Sequence, residues 1–387
     1  MKKLILILCL LPAVLSAQVI ASGGRTTVAG SSGLSVAGSG KLAIADNNGG
    51  VIKYDQYGNP NVMVWIPAFN WAPVAGFASD KLHPAFMVNG VAKSGVWVSK
   101  YENVVIDPTT KAIYAAGTLN TNSHTYIAAS RANVAPRYNI SFDAARKACT
   151  NMGTGWHLMS NAEWAAIALW SKNNSTMPYG NNSYGDDIGD PTVIGNIIAG
   201  DTFGSGNSRW YTGSGGAKTG HTRTLDGIMD MNGNLWEWVD GMRLENGLIY
   251  VAGNANTSPT WAGNSFAATE ANWYNTGIYT KWAGGSATGF TLGTGGRDSV
   301  MTTYKYQYFG TTTGADSLCK AVALGPTSSS AANYGNDYFF ANNNGTVFPL
   351  RSGGWNNGMG AGVFHLYLVY SRTRAGSDIG FRAALVE

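Results

Sequence analysis

Hydrophobic and polar positions alternate in short runs along most of the chain, and only two stretches switch to a helical period. The runs Val62-Met63-Val64-Trp65-Ile66 and Gly95-Val96-Trp97-Val98-Ser99-Lys100-Tyr101 have the aromatic and β-branched content of strands. From Ser141 onward, Phe142, Ala145, Cys149 and Met152 recur at helical spacing, which predicts a helix with Ser141 as N-cap and Gly153 as its stop. A second helix is predicted from about Asn161 to Ser171. There Ser160 and Glu163 have the spacing of a capping box, and Trp164, Ile167, Ala168 and Trp170 supply an apolar face. Strand signals return between Gly233 and Leu244. Asn246-Gly247 ahead of Leu248-Ile249-Tyr250-Val251 predicts a tight hairpin, because both turn residues tolerate positive φ.

The remaining segments carry less periodicity. Residues Gln18 to about Gly58 are rich in Gly and Ser and read as an extended arm, so the chain divides into an arm over residues 18–60 and a globular region over 61–387. Asn173–Gly220 and Thr257–Asn344 read as long loops and short strands, with no internal repeat. The pattern predicts an α+β fold with two helices, short antiparallel strands and high loop content.

Composition removes several function classes. Charged residues make up 12% of the chain, while 13 Trp and 19 Tyr supply large amphipathic side chains. The formal net charge is +4, with no basic run, no Lys/Arg stripe and no phosphate-binding loop, so nucleic acid is not an expected partner. The five histidines, 83, 124, 157, 221 and 365, lack paired metal-ligand spacing.

The first seventeen residues, 1–17, resemble a secretory signal peptide: Lys2-Lys3, an apolar run from Leu4 to Leu15, then Ser16-Ala17. That run is shorter than the roughly 20 residues that span a bilayer. Cleavage near Ala17 predicts an exported protein, secreted or at the cell surface, without an integral membrane span. Leu8 before Cys9 is too bulky for lipid processing. Cys149 and Cys319 would then remain, able to pair in an oxidising compartment, although the helical stripe favours Cys149 as a small buried hydrophobe.

Three blocks carry a family resemblance. Gly227-Ile228-Met229-Asp230-Met231-Asn232-Gly233-Asn234-Leu235-Trp236-Glu237-Trp238-Val239, then Arg351-Ser352-Gly353-Gly354-Trp355 and Ile379-Gly380-Phe381-Arg382, resemble the formylglycine-generating-enzyme family, and Gly155-Trp156-His157-Leu158 leading into Ala162-Glu163-Trp164 is similar to another of its stretches. The resemblance implies a C-type-lectin-like fold of that type, a scaffold that hosts both enzymes and binders. The enzymes need a pair of cysteines within the C-terminal block, and none lies between Gly353 and Arg382. Catalysis is therefore not expected. An atypical oxidase of this group stays as a remote alternative. In these relatives oxygens of the middle block hold a structural Ca²⁺, which here would mean Asp230, Glu237 and the carbonyls of Gly233 and Leu235. Turn and capping hydrogen bonds by the same side chains are an equal alternative.

The C-terminal block is also similar to the variable region of proteins diversified by diversity-generating retroelements. Gly353-Gly354-Trp355-Asn356-Asn357-Gly358, Ala361-Gly362-Val363-Phe364, Leu366, Leu368 and Ile379-Gly380-Phe381-Arg382 match its fixed framework. The resemblance implies a variable region over about 351–382, with Met359, Gly360, His365, Tyr367, Val369, Tyr370, Arg374, Gly376 and Asp378 as diversified, ligand-binding positions. Alternation from Val363 to Tyr370 puts Phe364, Leu366 and Leu368 on one face of a strand and His365, Tyr367 and Val369 on the other, which is expected to face solvent. An ordinary strand buried on both sides is the alternative. The expected partner is a protein or glycan on a cell surface. A phage tail-tip adhesin, hence a virion protein, is a second reading that the leader opposes.

Overall fold

Both helices form where the period switches. The computed structural model describes residues 49–71, 82–114, 119, 126–201, 209–252, 273–283 and 289–387, and the backbone of four short strands between 18 and 44. The expected leader, 1–17, and His124 lie outside the described residues. Helix α1 (Phe142–Thr150) starts where the Ser141 side chain accepts the Ala144 amide, and it buries Phe142, Ala145 and Cys149. Helix α2 (Asn161–Asn173) begins with a complete capping box: Ser160 Oγ accepts from Glu163 N at 3.2 Å, and the Glu163 carboxylate accepts from Ser160 N at 2.7 Å. Its burial extends all round, from Asn161 to Leu169, rather than along one face, as its high alanine content permits. A third helix, α3 (Ser317–Ala321), capped by Asp316, was not expected from the pattern, because a single turn carries no periodicity to detect.

The fold is mixed, mostly strands and loops, with open sheets. One five-stranded sheet runs in the order Trp156–Leu158, Ala383–Leu385, Gly95–Ser99, Pro60–Pro67, Val51–Tyr54. Val51–Tyr54 pairs antiparallel with Pro60–Pro67, so the expected boundary at residue 60 falls inside a hairpin. A six-stranded sheet is ordered Lys305–Tyr308, Tyr338–Ala341, Gly362–Leu368, Leu350–Ser352, Trp236–Trp238, Ile379–Phe381. The second five-stranded sheet contains the hairpin of Met242–Glu245 and Leu248–Ala252, whose turn residues Asn246 and Gly247 have φ of 50° and 84°. The four strands between 18 and 44 form a separate antiparallel sheet.

Two hydrophobic clusters share the sheets between them. The larger surrounds α2 and takes Val96, Val98, Phe339, Phe364, Leu366 and Leu368; the smaller lies against α1 and takes Met63, Trp156, Trp238, Leu350, Tyr367 and Phe381. Cys149 belongs to the smaller cluster and Cys319 to the larger, and both are free thiols. No helix among the described residues is long and apolar enough to cross a membrane.

Candidate functional site

The segment 351–382 is pinned by its framework residues. Arg351 is fully buried, and its guanidinium donates to Asn161 Oδ1 at 2.7 and 2.9 Å and to the Ala323 carbonyl at 2.9 Å. Burial without a paired carboxylate lowers its pKa to about 9. Gly353, at φ +86°, has no room for a side chain: a Cβ there would lie 2.7 Å from Ala361 Cβ. Trp355 is buried. Arg382, which follows the last strand of its sheet, makes a two-pronged ion pair with Glu237 at 2.7 and 3.0 Å and donates to the Ser99 and Lys100 carbonyls. The parallel pairing of Trp236–Trp238 with Ile379–Phe381 brings those two charges together from opposite ends of the resemblance.

The strand Gly362–Leu368 follows the expected alternation but not the expected exposure. Phe364, Leu366 and Leu368 enter the larger core. His365 and Tyr367 point the other way, yet they are only 1% and 5% exposed, which corrects the expectation of a solvent-facing row. The strand is central in its sheet, and rings from neighbouring strands close over it. Phe340 lies 5.0 Å from Tyr367 and 5.6 Å from His365, Trp236 lies 4.2 Å from Tyr367, and Tyr370 packs on Tyr367 at 4.9 Å. Gly360 is buried too, tight against the Tyr338 ring.

The other residues of the predicted set sit at the margin of this aromatic face. Met359 is 53% exposed, Arg374 is exposed with its guanidinium 4.8 Å from the Tyr370 ring, and Val369, Tyr370, Gly376 and Asp378 are half-buried. Beyond Phe340 the face opens onto Tyr304, Tyr306 and Tyr308, all substantially exposed. Sequence reasoning missed these three tyrosines. Their alternation over Tyr304–Tyr308 was the available signal, but nothing local shows that their strand lies two places from Gly362–Leu368.

His365 has an unusual environment. Its Nδ1 lies 2.6 Å from the Gly360 carbonyl and so carries the proton, leaving Nε2 as a buried acceptor with no hydrogen-bond partner among the described residues. Burial lowers its pKa to about 4, so the ring is neutral at physiological pH.

The residues expected to hold calcium are engaged elsewhere. Both Glu237 oxygens serve Arg382, Asp230 Oδ2 accepts from Gly213 N at 2.6 Å, and the Gly233 carbonyl accepts from the Ser352 hydroxyl at 2.9 Å. The Leu235 amide donates to Glu102, a buried carboxylate that the motif did not reveal. Burial drives the Asp230 pKa up to about 6 and also raises Glu102 and Glu237. Asp230 Oδ2, both Glu237 oxygens and the Gly233 carbonyl thus accept hydrogen bonds from the protein, as in the turn and capping alternative. Among the described residues no group of three or more His, Cys, Asp or Glu side chains could hold a metal ion.

The described histidines outside the strand also have structural partners. His83 caps a short helix and meets the Ala321 carbonyl, His157 meets Glu163, and His221 accepts from the Ile228 amide. Burial raises the pKa of both cysteines, which removes thiolate character from them.

No family model matches this chain, and no curated protein matches it. Among solved structures it is similar to Treponema denticola variable protein 1, at 12% identity and a TM-score of 0.33 over 86% of this chain and 98% of that one. It is also similar to the Major Tropism Determinant U1 variant, at 10% identity and a TM-score of 0.32 over 95% of this chain and 85% of the other.

Proposed function

We propose that this protein is an exported, non-catalytic ligand-binding protein of the retroelement-diversified kind, on a C-type-lectin-like fold, whose segment 351–382 forms a mutable receptor surface. The observation that carries this reading is a segregation inside one short segment. Of its framework residues, Gly353, Gly354, Trp355, Phe364, Leu366, Leu368, Gly380, Phe381 and Arg382 are buried, as is Arg351, several by specific bonds, while Asn356, Asn357 and Gly358 are exposed or half-buried. Between them, Met359, Val369, Tyr370, Arg374, Gly376 and Asp378 are exposed or half-buried and can change without removing those contacts. The surface differs from the one first expected: it is the rim of the aromatic face, and His365 and Tyr367 support it from below. Tyr and Arg are suited to such a rim, being large and amphipathic or planar and charged.

The flanking DNA tests this reading. A near-identical non-coding copy of the segment 353–382, differing at template adenines and lying beside a reverse-transcriptase gene, is the expected finding. An intact flank without either feature would end the diversification reading. Whatever the flank holds, replacing Tyr370 and Arg374 together by Ala should abolish adhesion of the purified protein to its target cells while the circular dichroism spectrum stays unchanged. Undiminished adhesion would remove the rim from the binding surface.

A further inference from the structure

Glycine stands at every second position in the turn before Phe364: Gly358, Gly360 and Gly362. Gly358 and Gly362 have φ of 56° and 149°, which favours glycine at both, whereas Gly360 has no positive φ and a backbone open to residues with a side chain. Space, not conformation, keeps position 360 small. A Cβ on Gly360 would lie 2.7 Å from Cδ2 and 3.0 Å from Cε2 of the Tyr338 ring, so one of the two must give way.

The turn is the stiffer of the two. Gly360 N donates to the Asn357 carbonyl at 3.1 Å, the Gly360 carbonyl accepts from His365 Nδ1 at 2.6 Å, and Gly358 N donates to the Asn182 carbonyl at 2.8 Å. Asn357 Oδ1 is held in turn, accepting from Trp236 Nε1 and Gly354 N, each at 2.6 Å. The Tyr338 ring is half-buried and packs against the rings of Tyr308, Tyr306 and Phe340 at 5.2, 5.5 and 5.8 Å. Swinging a half-exposed ring outward costs less than breaking a set of backbone and side-chain hydrogen bonds. Tyr338 stands opposite Tyr308 across the paired strands, so an outward swing presses on Tyr308 and Tyr306, which are both exposed.

We infer that position 360 determines ligand specificity without touching the ligand: the size of its side chain sets where the Tyr338 ring stands, and through that ring the shape of the exposed patch formed by Tyr306 and Tyr308. The inference deepens the receptor reading and rests on it. It gives a role to a position that is expected to vary and yet is buried. It also brings tyrosines from outside the segment 351–382 into the ligand-facing surface. Those tyrosines are continuous with the rim, since Tyr306 stacks on Phe340 at 5.2 Å, Phe340 packs on Tyr367 at 5.0 Å, and Tyr367 packs on Tyr370 at 4.9 Å. A larger residue at 360 leaves the chemistry of the exposed rings unchanged and alters their spacing, and so admits some partner surfaces and excludes others. His365 and Tyr367 are buried too, but shortening either removes a ring from the packed layer, whereas growth at Gly360 only displaces one.

Fluorine NMR of the full chain labelled with 3-fluorotyrosine tests this, with the resonances of Tyr306, Tyr308 and Tyr338 assigned by replacing each with Phe. Gly360→Ala and Gly360→Val are expected to shift all three, the valine more, while the resonance of Tyr101, buried against Gly213, stays in place. In a Tyr338→Ala background, Gly360→Val should no longer move Tyr306 or Tyr308. The alanine variant carries the test if the valine variant does not fold. Unmoved resonances, or movement that persists without Tyr338, would overturn the inference. Adhesion of the same purified proteins to a panel of cell types gives the second readout. Relative adhesion to two members of the panel should change by at least about fivefold between wild type and Gly360→Ala, and Tyr338→Ala should erase the difference. An unchanged ranking would end the specificity role. The fluorine measurement needs no ligand, so its failure leaves the receptor reading standing; resonances that shift as expected in a protein that adheres to no cell would bring down the receptor reading, and the specificity role with it.

Discussion

The two faces of the strand Gly362–Leu368 have the same period and nearly the same burial, but they are buried by different means. Phe364, Leu366 and Leu368 pack against aliphatic and aromatic side chains of the larger core, around α2. His365 and Tyr367 are covered by rings that lean in from neighbouring strands, and their cover thins within one strand to the exposed Tyr306 and Tyr308. One face is a core, and the other is the inner edge of a surface. Burial alone would class them together; the chemistry of what covers them separates them, because a polar ring such as His365 keeps an unused acceptor on one side only.

Substitutions should separate the faces by size of effect. Phe364→Ala removes a fully buried ring from the larger core and is expected to cost about 4 kcal/mol in urea-unfolding experiments. A loss below about 1 kcal/mol would mean that this face is not the anchor.

The next effect comes from acid. His365 has its folded-state pKa lowered to about 4 from 6.5, so the unfolded chain binds more protons between those values. Its contribution is fully present above pH 6.5 and is lost as pH falls to about 4, roughly 3 kcal/mol in all. His83 and His221 act in the same direction, and Asp230, raised to about 6, opposes them between pH 6 and its unfolded value of 3.8. Comparing wild type with His365→Phe at pH 7 and pH 5 isolates this residue. The variant should lose less stability on acidification, and parallel losses would show that the imidazole is hydrated.

At the rim the expected stability change shrinks further. Tyr370→Ala with Arg374→Ala should cost no more than about 1 kcal/mol, because the pair contributes a half-exposed ring and an exposed cation–π contact. A larger loss would move these residues into the supporting layer with Tyr367. Smallest of all, a chelator should leave the melting temperature unchanged, since Asp230 Oδ2 and both Glu237 oxygens are engaged by protein donors. A drop of several degrees would restore the calcium expectation.

Much of the local structure was legible in advance. The Ser141 cap, the Ser160–Glu163 capping box and the Asn246-Gly247 hairpin all formed where the residues predicted them, because each depends on groups a few positions apart. The pairing of Arg382 with Glu237, 145 positions away, was not legible locally. The burial of α2 on all sides, the extra helix at Ser317 and the hairpin that takes in Val51–Tyr54 were not, since each depends on what the element meets in space.

The sequence by itself determined the period of the last long strand, and so which of its side chains share a face; alternation is a property of the extended backbone and needs no neighbours. Whether the second face meets water was decided only by tertiary structure. Phe340 and Trp236 arrive from strands 25 and 129 residues away from His365, and the solvent accessibility of a side chain depends on what is packed above it.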